Sequence, residues 1–399
     1  MTTEFEIIQN NLKKGSYADC FNQRDTRCLS GLQPNVWMIQ GHDGIIAYFK
    51  LVHRIYSTKD IKANYTIKHV ENNLDSVILN NIGKENVTEK TIVNEVKKQL
   101  PTATSKTFDI MRNIFGIKLS KNYREIDPFK FQKGKNAYRQ FLHKSSLNLT
   151  FIKNENVAEY TVRFQIKSVT RERALEIADE TFTTLEYLFA FILGRKDCGH
   201  EVRILRQTKE NRLFHMVKSE DGQISTGGSR HNLVHNQIDL NDKFFKNSKV
   251  KKLFSLVPTQ NLKPIENRLN KAISWIGKGL LCDSSIESII CYCSALESIL
   301  IRNSKAIISP SIVASLSEYC AFFLGKSQGQ RKDLIVEVKK IYSERSAGTH
   351  GGKLVADPMI EGSALSISRA IVFRILELYP NKIKSEKDVI AYVDRLKYS

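Results

Sequence analysis

The clearest pattern of hydrophobic and polar positions lies at residues 171–193. Apolar side chains recur there at three- and four-residue steps, at Ala174, Ile177, Ala178, Phe182, Leu185, Leu188, Phe189 and Ile192. This spacing is typical of one face of an amphipathic helix. Thr170 is suited to cap the start of the helix and Gly194 to end it. The pattern therefore predicts a long helix with one face packed against a core.

Shorter apolar runs, rich in β-branched and aromatic residues, predict strands on both sides of that helix. The predicted strands are 36–40, 45–52, 147–153, 160–169, 201–207 and 212–217. A further helix is predicted over 88–100, and the glycine-rich stretch 219–232 is predicted to be a loop. Residues 1–255 are thus expected to form an α+β domain whose role the sequence leaves unassigned. A sensing or regulatory role is considered for it on architecture alone.

From about residue 262 the pattern changes, because every long segment now has helical spacing. The predicted helices are 264–281, 284–302, 310–324, 331–346, 359–379 and 385–398, with Ser385 as the cap of the last. A domain boundary is predicted near 250–262. Residues 262–399 are expected to form an all-α helical bundle.

Charge narrows the choice of partner. The 399-residue chain carries a formal net charge of +19, and the excess is spread over both halves. A basic balance of this size fits a polyanionic partner, and nucleic acid is the most common one. The alternative is a lysine-rich composition that serves only solubility.

The sequence shows no features of export, membrane insertion or metal binding. The first residues lack the basic and apolar regions of a signal peptide, and no apolar run is long enough to span a membrane. The seven cysteines form no CxxC pair, so reduced thiols and a cytoplasmic location are expected. Neither zinc nor another metal or cofactor is expected, because the cysteines and histidines lack the spacing of a ligand set.

Two charged residues occupy positions where a helical wheel requires apolar ones. Arg345 falls on the face formed by Leu334, Val338 and Ile341, and Glu297 falls on the apolar face of the 284–301 segment. A charge on a core face is costly unless it is paired. Glu297 and Arg345 are therefore predicted to meet or to share a polar pocket. A structural ion pair that fixes the register of two helices is the alternative to a functional role.

The residues after Arg345 read Ser-Ala-Gly-Thr-His-Gly-Gly. Gly348 is predicted to end the helix, which would let Arg345 and His350 converge although five residues separate them. A histidine can transfer protons near neutral pH, and an arginine can bind a phosphate oxyanion. Together they could cleave RNA without a metal. The spacing alone is weak evidence, since Arg230 and His235 share it and are taken as a chance match.

Three segments of the second half resemble the ApeA-like branch of the HEPN superfamily. They are CYCSALESILIR (291–302), LSEYCAFFLG (316–325) and IVEVKKIYSERSAGTHGG (335–352), and 268–290 resembles the first helix of that domain. The resemblance covers about 264–379 and implies a helical bundle that is usually dimeric. Many members are metal-independent endoribonucleases whose Arg-x4–6-His motifs from two protomers form one cleft. ApeA-like members often belong to bacterial anti-phage, abortive-infection systems.

The resemblance carries over to four residues. Arg345 and His350 match the motif arginine and histidine, which implies catalytic roles for both. Ser346 matches the position after the arginine, where active members often have Asn, Asp or His. Glu297 matches the acidic residue of the Ala-Leu-Glu helix and is given a supporting role.

These observations favour an endoribonuclease that acts as a homodimer on RNA, with tRNA among the candidate substrates. His350 would transfer protons and Arg345 would stabilise the phosphate. The alternative is a non-catalytic RNA-binding or scaffold protein, in which Glu297 holds Arg345 structurally. A DNA-binding regulator is a third hypothesis, although no helix-turn-helix pattern is present.

Overall fold

The computed structural model describes most of the chain. The described residues are 2–15, 25–29, 36–84, 86–100, 105–134, 136–137, 159–194, 202–204, 212–218, 224–230, 237–258, 262–301 and 312–398. Within them, a mixed region of helices and sheets is followed by a helical region, as the sequence predicts.

The mixed region contains eleven strands and eight helices among the described residues. The strands are β1 (Leu12–Gly15), β2 (Thr26–Cys28), β3 (Val36–Gln40), β4 (Lys106–Ile114), β5 (Ile117–Leu119), β6 (Tyr123–Ile126), β7 (Phe129–Lys133), β8 (Tyr160–Ser168), β9 (Arg212–Lys218), β10 (Ile224–Arg230) and β11 (Ile238–Leu240). The helices are α1 (Glu4–Asn10), α2 (His42–Tyr56), α3 (Lys59–Asn64), α4 (Ile67–Asn81), α5 (Glu89–Gln99), α6 (Arg171–Leu193), α7 (Asp242–Lys246) and α8 (Ser248–Phe254).

The helical region that follows contains six helices among the described residues. Its helices are α9 (Pro264–Leu280), α10 (Ser285–Leu300), α11 (Ile312–Leu324), α12 (Gln328–His350), α13 (Pro358–Leu378) and α14 (Glu386–Lys397). Polar side chains define their starts: Ser327 caps α12, and Asp357 with Pro358 starts α13. The first-turn Asp388 of α14 accepts a hydrogen bond from the Ser385 N–H at 2.8 Å.

The chain divides into two compact units, and the first comprises residues 1–110 with 165–178. In it, β3 lies between β1 and β2 and pairs antiparallel with both. The helices α2, α4 and α5 bury apolar side chains in one core. A polar cluster lies at its edge, where the Arg27 guanidinium carbon is 4.1 Å from the ring centroid of Tyr48. The Tyr48 hydroxyl donates to Asp75 at 2.5 Å, and Nη2 of Arg27 lies 3.3 Å from the same carboxylate, so the partly buried Arg27 and Asp75 form an ion pair.

The second unit comprises residues 111–164 and 179–399 and joins strands to the helical bundle. The strands β6, β7 and β8 pair antiparallel in the order β8-β7-β6. Phe129 and Phe131 of β7 pack edge-on against Phe254 of α8, with ring centroids 6.1 and 6.4 Å apart. On the bundle side, Phe191 of α6 packs against Phe373 of α13 at 5.1 Å. These aromatic contacts pack the sheet against α8 and pack α6 against the bundle helix α13.

The compact units do not divide at 250–262, where the sequence analysis places the domain boundary between 1–255 and 262–399. The apolar spacing changes there from alternating to helical. Residues 111–164 and 179–255 share the second compact unit with the bundle helices. The domain boundary near 250–262 stays a prediction.

Most of the predicted elements are confirmed. The predicted helix at 171–193 matches α6, where the Thr170 hydroxyl accepts the Arg173 N–H at 3.2 Å. Gly194 ends that helix with a positive φ of 63°. All six predicted helices after residue 262 are present, and so are the helix at 88–100 and the strands at 36–40, 160–169 and 212–217.

Two of the predicted elements are wrong. The run 45–52 is helical and belongs to α2, because its buried residues Ala47, Tyr48, Leu51, Val52 and Ile55 have helical spacing. An uninterrupted apolar run alone does not distinguish a buried strand from a helix. The stretch 219–232 is not a loop throughout, because 224–230 forms β10 and pairs antiparallel with β9. The strands predicted at 147–153 and over most of 201–207 lie outside the described residues.

Cysteine chemistry differs from the expectation at one position. Cys28 is disulfide-bonded, so the prediction of reduced thiols is wrong for this residue. An odd, scattered set of cysteines carries no pairing signal, because pairing depends on distances in the fold. The other described cysteines, Cys282, Cys291, Cys293 and Cys320, lie in the helical region and are not disulfide-bonded.

Close packing between α6 and α9 generates a stability prediction. A β-carbon at Gly277 would overlap the backbone of Tyr187, whereas one at Gly362 of α13 would meet nothing within 4 Å. Gly277→Ala is expected to destabilise the fold by about 2–3 kcal/mol through overpacking. Gly362→Ala, a matched control at an exposed position of α13, is expected to stabilise it by about 0.5–1 kcal/mol. Urea unfolding measures both, and equal midpoints for the two variants would contradict the α6–α9 contact.

Candidate functional site

Helix α12 carries the Arg-x4-His motif and does not end at Gly348. It runs without a break for 23 residues and ends at His350, with Gly351 as the C-cap. The prediction that Gly348 ends the helix is therefore wrong. On one continuous helix, Arg345 and His350 point about 140° apart. Within a single chain the two side chains do not converge.

Gly348 is needed for packing rather than for ending the helix. A β-carbon at this position would lie 2.8 Å from Cγ1 and 2.9 Å from Cδ1 of Ile286, at the start of α10. The missing side chain lets the last turn of α12 approach α10 closely. Gly351 and Gly352 end the helix, which is the role that the sequence analysis predicts for Gly348. The Gly351 N–H donates to the Ala347 carbonyl at 2.9 Å, and Gly352 has a positive φ of 68°.

Arg345 and Glu297 meet between α12 and α10, as the two helical wheels predict. Nη2 of Arg345 lies 3.6 Å from Oε1 of Glu297, and both side chains are about one-third exposed. The Tyr342 hydroxyl lies 3.3 Å from that same oxygen and 3.3 Å from the Cys293 carbonyl oxygen, and it donates to both. The Arg345 guanidinium carbon is also 5.8 Å from the centre of the Tyr342 ring. The arginine is thus held at the edge of the bundle core, with part of its surface open to solvent.

Burial keeps the neighbours of this ion pair neutral. Desolvation raises the pKa of the Tyr342 phenol above its ordinary value and raises the pKa of the Cys293 thiol to about 12. A neutral phenol can donate a hydrogen bond to the Glu297 carboxylate, and a protonated thiol is a poor nucleophile. The Glu297–Arg345 pair is therefore flanked by the neutral side chains of Tyr342 and Cys293.

A second carboxylate fixes the chain that leaves α12. Glu344 is buried, and its Oε1 accepts hydrogen bonds from Nζ of Lys353 at 2.5 Å and from the Asp357 N–H at 3.1 Å. The hydrogen bond from Lys353 lowers the pKa of Glu344, and the Asp357 N–H acts in the same direction against the effect of burial. The Ala356 N–H donates to Ser285 of α10 at 2.8 Å. These contacts hold residues 353–357 beside the end of the helix.

His350 and Ser346 lie on the outer side of the same helix end. Both residues are exposed. Of the four residues singled out from the sequence, the structure brings Arg345 and Glu297 together, whereas His350 and Ser346 belong to another face of α12. The other Arg-x4-His copy cannot be placed, because His235 lies outside the described residues.

Sequence reasoning missed two residues and one contact of this region. Tyr342 was not singled out from the sequence, although its hydroxyl donates to Glu297. Glu344 was not singled out either, because its contacts come from a turn whose path the sequence does not encode locally. The close contact of Gly348 with Ile286 was also missed, although a glycine inside a strong helical pattern is a known sign of close packing.

The described residues offer no metal site, since no group of three or more His, Cys, Asp or Glu side chains among them is placed to hold an ion. No described helix is both long and apolar enough to cross a membrane. Comparison with known proteins gives no relative: no family model, no curated protein and no solved structure matches this chain.

The contact between Glu297 and Arg345 can be measured by a double-mutant cycle. Glu297→Gln and Arg345→Gln, alone and combined, are expected to give a coupling free energy of about 0.5–1 kcal/mol, because the pair is only partly shielded from water. The melting temperature of Glu297→Gln is expected to fall, and high salt is expected to reduce the coupling. A coupling of zero at low salt would show that the two charges do not interact.

The Glu344 contacts generate a prediction about pH. Because folding lowers the pKa of this carboxyl from its ordinary value of 4.5, the carboxylate stabilises the fold above that pH. Glu344→Gln is expected to cost about 1 kcal/mol at neutral pH. The difference from wild type should shrink as the pH falls below about 4.5 and through the lowered pKa. Urea unfolding at several pH values measures it.

Asp333→Asn is the matched control for that experiment. Asp333 is exposed on the same helix, so its replacement makes the same change in net charge without touching residues 353–357. The Glu344→Gln difference would contradict the assigned role if it stayed constant across the pH range, or if Asp333→Asn reproduced it.

Proposed function

We propose that this protein is a metal-independent endoribonuclease, with tRNA among its candidate substrates, whose active site lies at the end of α12. The observation that carries the proposal is the solvent access of both motif residues: His350 is exposed and the Arg345 side chain is 35% exposed. Neither is sealed beneath other side chains. The net charge of +19 favours association with RNA. The resemblance of 291–352 to ApeA-like HEPN domains supports the same activity.

The proposed chemistry is attack of a ribose 2′-oxygen on the adjacent phosphorus. His350 takes the 2′-hydroxyl proton as the P–O2′ bond forms, and a proton is returned to the 5′-oxygen as the P–O5′ bond breaks. Arg345 stabilises the negative charge that builds on the phosphate oxygens. The products are a 2′,3′-cyclic phosphate and a 5′-hydroxyl, and no oxidant or metal is consumed.

The site needs a second copy of the chain, because Arg345 and His350 diverge on one helix. A homodimer would place His350 of one protomer near Arg345 of the other. Three apolar side chains beside the site are strongly exposed: Leu354 at 82%, Val355 at 71% and Met359 at 82%. Burying such a group is a common reason for subunits to associate. The proposed dimer contact therefore includes residues 354–359.

The second candidate function is non-catalytic RNA binding or scaffolding. One observation favours it: Arg345 is already engaged by Glu297 and the Tyr342 ring, as a structural residue would be. In that case His350 is an exposed residue of a helix end with no chemical role. A place in bacterial anti-phage defence is part of the proposal under either function and rests on the resemblance alone.

Cleavage of RNA in EDTA tests the proposal. Wild-type protein is expected to cut total cellular RNA, and His350→Ala is expected to lower the rate at least 100-fold, which is the usual scale of a lost general acid or base. His53→Ala removes an exposed histidine of α2 and should leave the rate unchanged. Equal cleavage by wild type and His350→Ala would contradict the catalytic assignment. Binding of RNA without any cleavage would favour the non-catalytic RNA-binding or scaffold function.

Mixing two inactive variants tests whether the site is shared between protomers. Arg345→Ala and His350→Ala chains are co-expressed with different tags, and the mixed dimer is purified. If each active site takes Arg345 from one chain and His350 from the other, one intact site is restored and about half of the wild-type rate is expected. If both residues come from the same chain, the mixed dimer stays inactive.

A further inference from the structure

A cleft lies at the opposite end of α12 from the candidate site. It has a volume of about 400 Å³ and is formed by the end of α11, the start of α12, and parts of α13 and α14. This volume falls in the range of small-molecule sites. Its walls include the aromatic side chains Phe322 and Phe373, and its cations are Lys326, Arg331 and Arg374.

Arg331 is fixed against one aromatic wall. Its guanidinium carbon is 4.4 Å from the centre of the Phe322 ring, and its Nε donates to the Gly325 carbonyl at 3.2 Å. A β-carbon at Gly325 would come within 2.8 Å of the Arg331 side chain, so the glycine makes room for it. Lys326 follows this glycine and is exposed. A stacked guanidinium beside a free ammonium is an arrangement suited to phosphate.

Arg374 is held on the other side of the cleft. Its Nη2 donates to the Tyr392 hydroxyl at 3.3 Å, and its Nη1 lies 3.5 Å from Glu377. Glu377 is the one carboxylate among the residues that line the cleft, and Lys249 lies 3.6 Å from it as well. Its charge is therefore offset by neighbouring cations. The cleft keeps an excess of positive charge, with three cations against one anion.

We infer that this cleft binds one nucleotide of a single-stranded RNA. A base has a flat apolar face that can stack on Phe322 or Phe373, and its phosphate can pair with Lys326, Arg331 and Arg374. Aromatic faces interleaved with cations are the usual means of holding unpaired nucleotides. The choice of RNA rests on the proposed function. A free mononucleotide has the same chemistry and is distinguished below.

The position of the cleft fits a strand that also reaches the candidate site. Arg331 and Arg345 are 14 residues apart, which is about 21 Å along a helix. Lys332 and Lys339 are exposed between them. A helix turns about 100° per residue, so Lys332 and Lys339 lie within about 20° of His350 around the axis of α12. This stripe leads from the cleft to the histidine.

Fluorescence anisotropy with a fluorescein-labelled octauridine tests the inference. The full chain carries His350→Ala, so that the probe is not cut, and unlabelled uridine monophosphate serves as the competitor. Two cleft variants are made in this background, Lys326→Glu and Phe322→Leu. Lys271→Glu is the matched control, because Lys271 is exposed on α9 outside the cleft and the change in net charge is identical.

Lys326→Glu is expected to raise the Kd for octauridine at least fivefold, and Phe322→Leu about tenfold, while Lys271→Glu changes it less than about twofold. Equal effects of Lys326→Glu and Lys271→Glu would overturn the inference, because binding would then follow net charge alone. Lys326 is exposed in a short turn, so this comparison stands even if Phe322→Leu lowers stability.

The competitor separates the two sources of the nucleotide. Displacement of octauridine by uridine monophosphate, lost in Lys326→Glu, supports a cleft that takes a single nucleotide. Cleft-dependent binding of octauridine without such displacement supports a cleft that requires a strand. Failure of this inference differs from failure of the nuclease proposal. If the cleft variants bind octauridine as tightly as the background protein while cleavage depends on His350, only the cleft inference is rejected. If the cleft variants lose octauridine binding while cleavage does not depend on His350, only the nuclease proposal is rejected.

Discussion

The unbroken α12 helix is the constraint on which the rest of the candidate site depends. Its fixed rotation per residue places Arg345 against α10 and turns His350 outward to solvent. Glu297 and Tyr342 then give the inward-facing arginine its partners. Glu344 fixes the chain beyond the helix. The positions of these side chains therefore depend on α12 and on α10, the helix against which it packs.

The helical region shows what apolar spacing can and cannot predict. Periodicity identified every bundle helix, and it also identified Arg345 and Glu297 as charges that had to meet, because burial makes an unpaired charge costly. The end of α12 was misjudged because glycine has two uses, to end a helix and to allow close packing. Only the position of Ile286 in the fold decides between them.

The mixed region was less predictable for a related reason. The buried helix α2 and a buried strand both appear as an apolar run, and the sequence around 45–52 lacks a distinct start or stop signal. A change of apolar pattern predicts a domain boundary near 250–262, but it does not report which segments of the chain pack together. Phe129, Phe131 and Phe254 join the sheet to helices that lie more than a hundred residues away, and no local signal reports such a contact.

The close approach of Gly348 to Ile286 has a consequence for natural variation. The last turn of α12 and the first turn of α10 share a space that holds either the isoleucine side chain or a new β-carbon, but not both. A related chain that acquired a side chain at position 348 would have to lose bulk at position 286. The two positions are therefore expected to covary among homologues, although neither residue takes part in the chemistry proposed for the site.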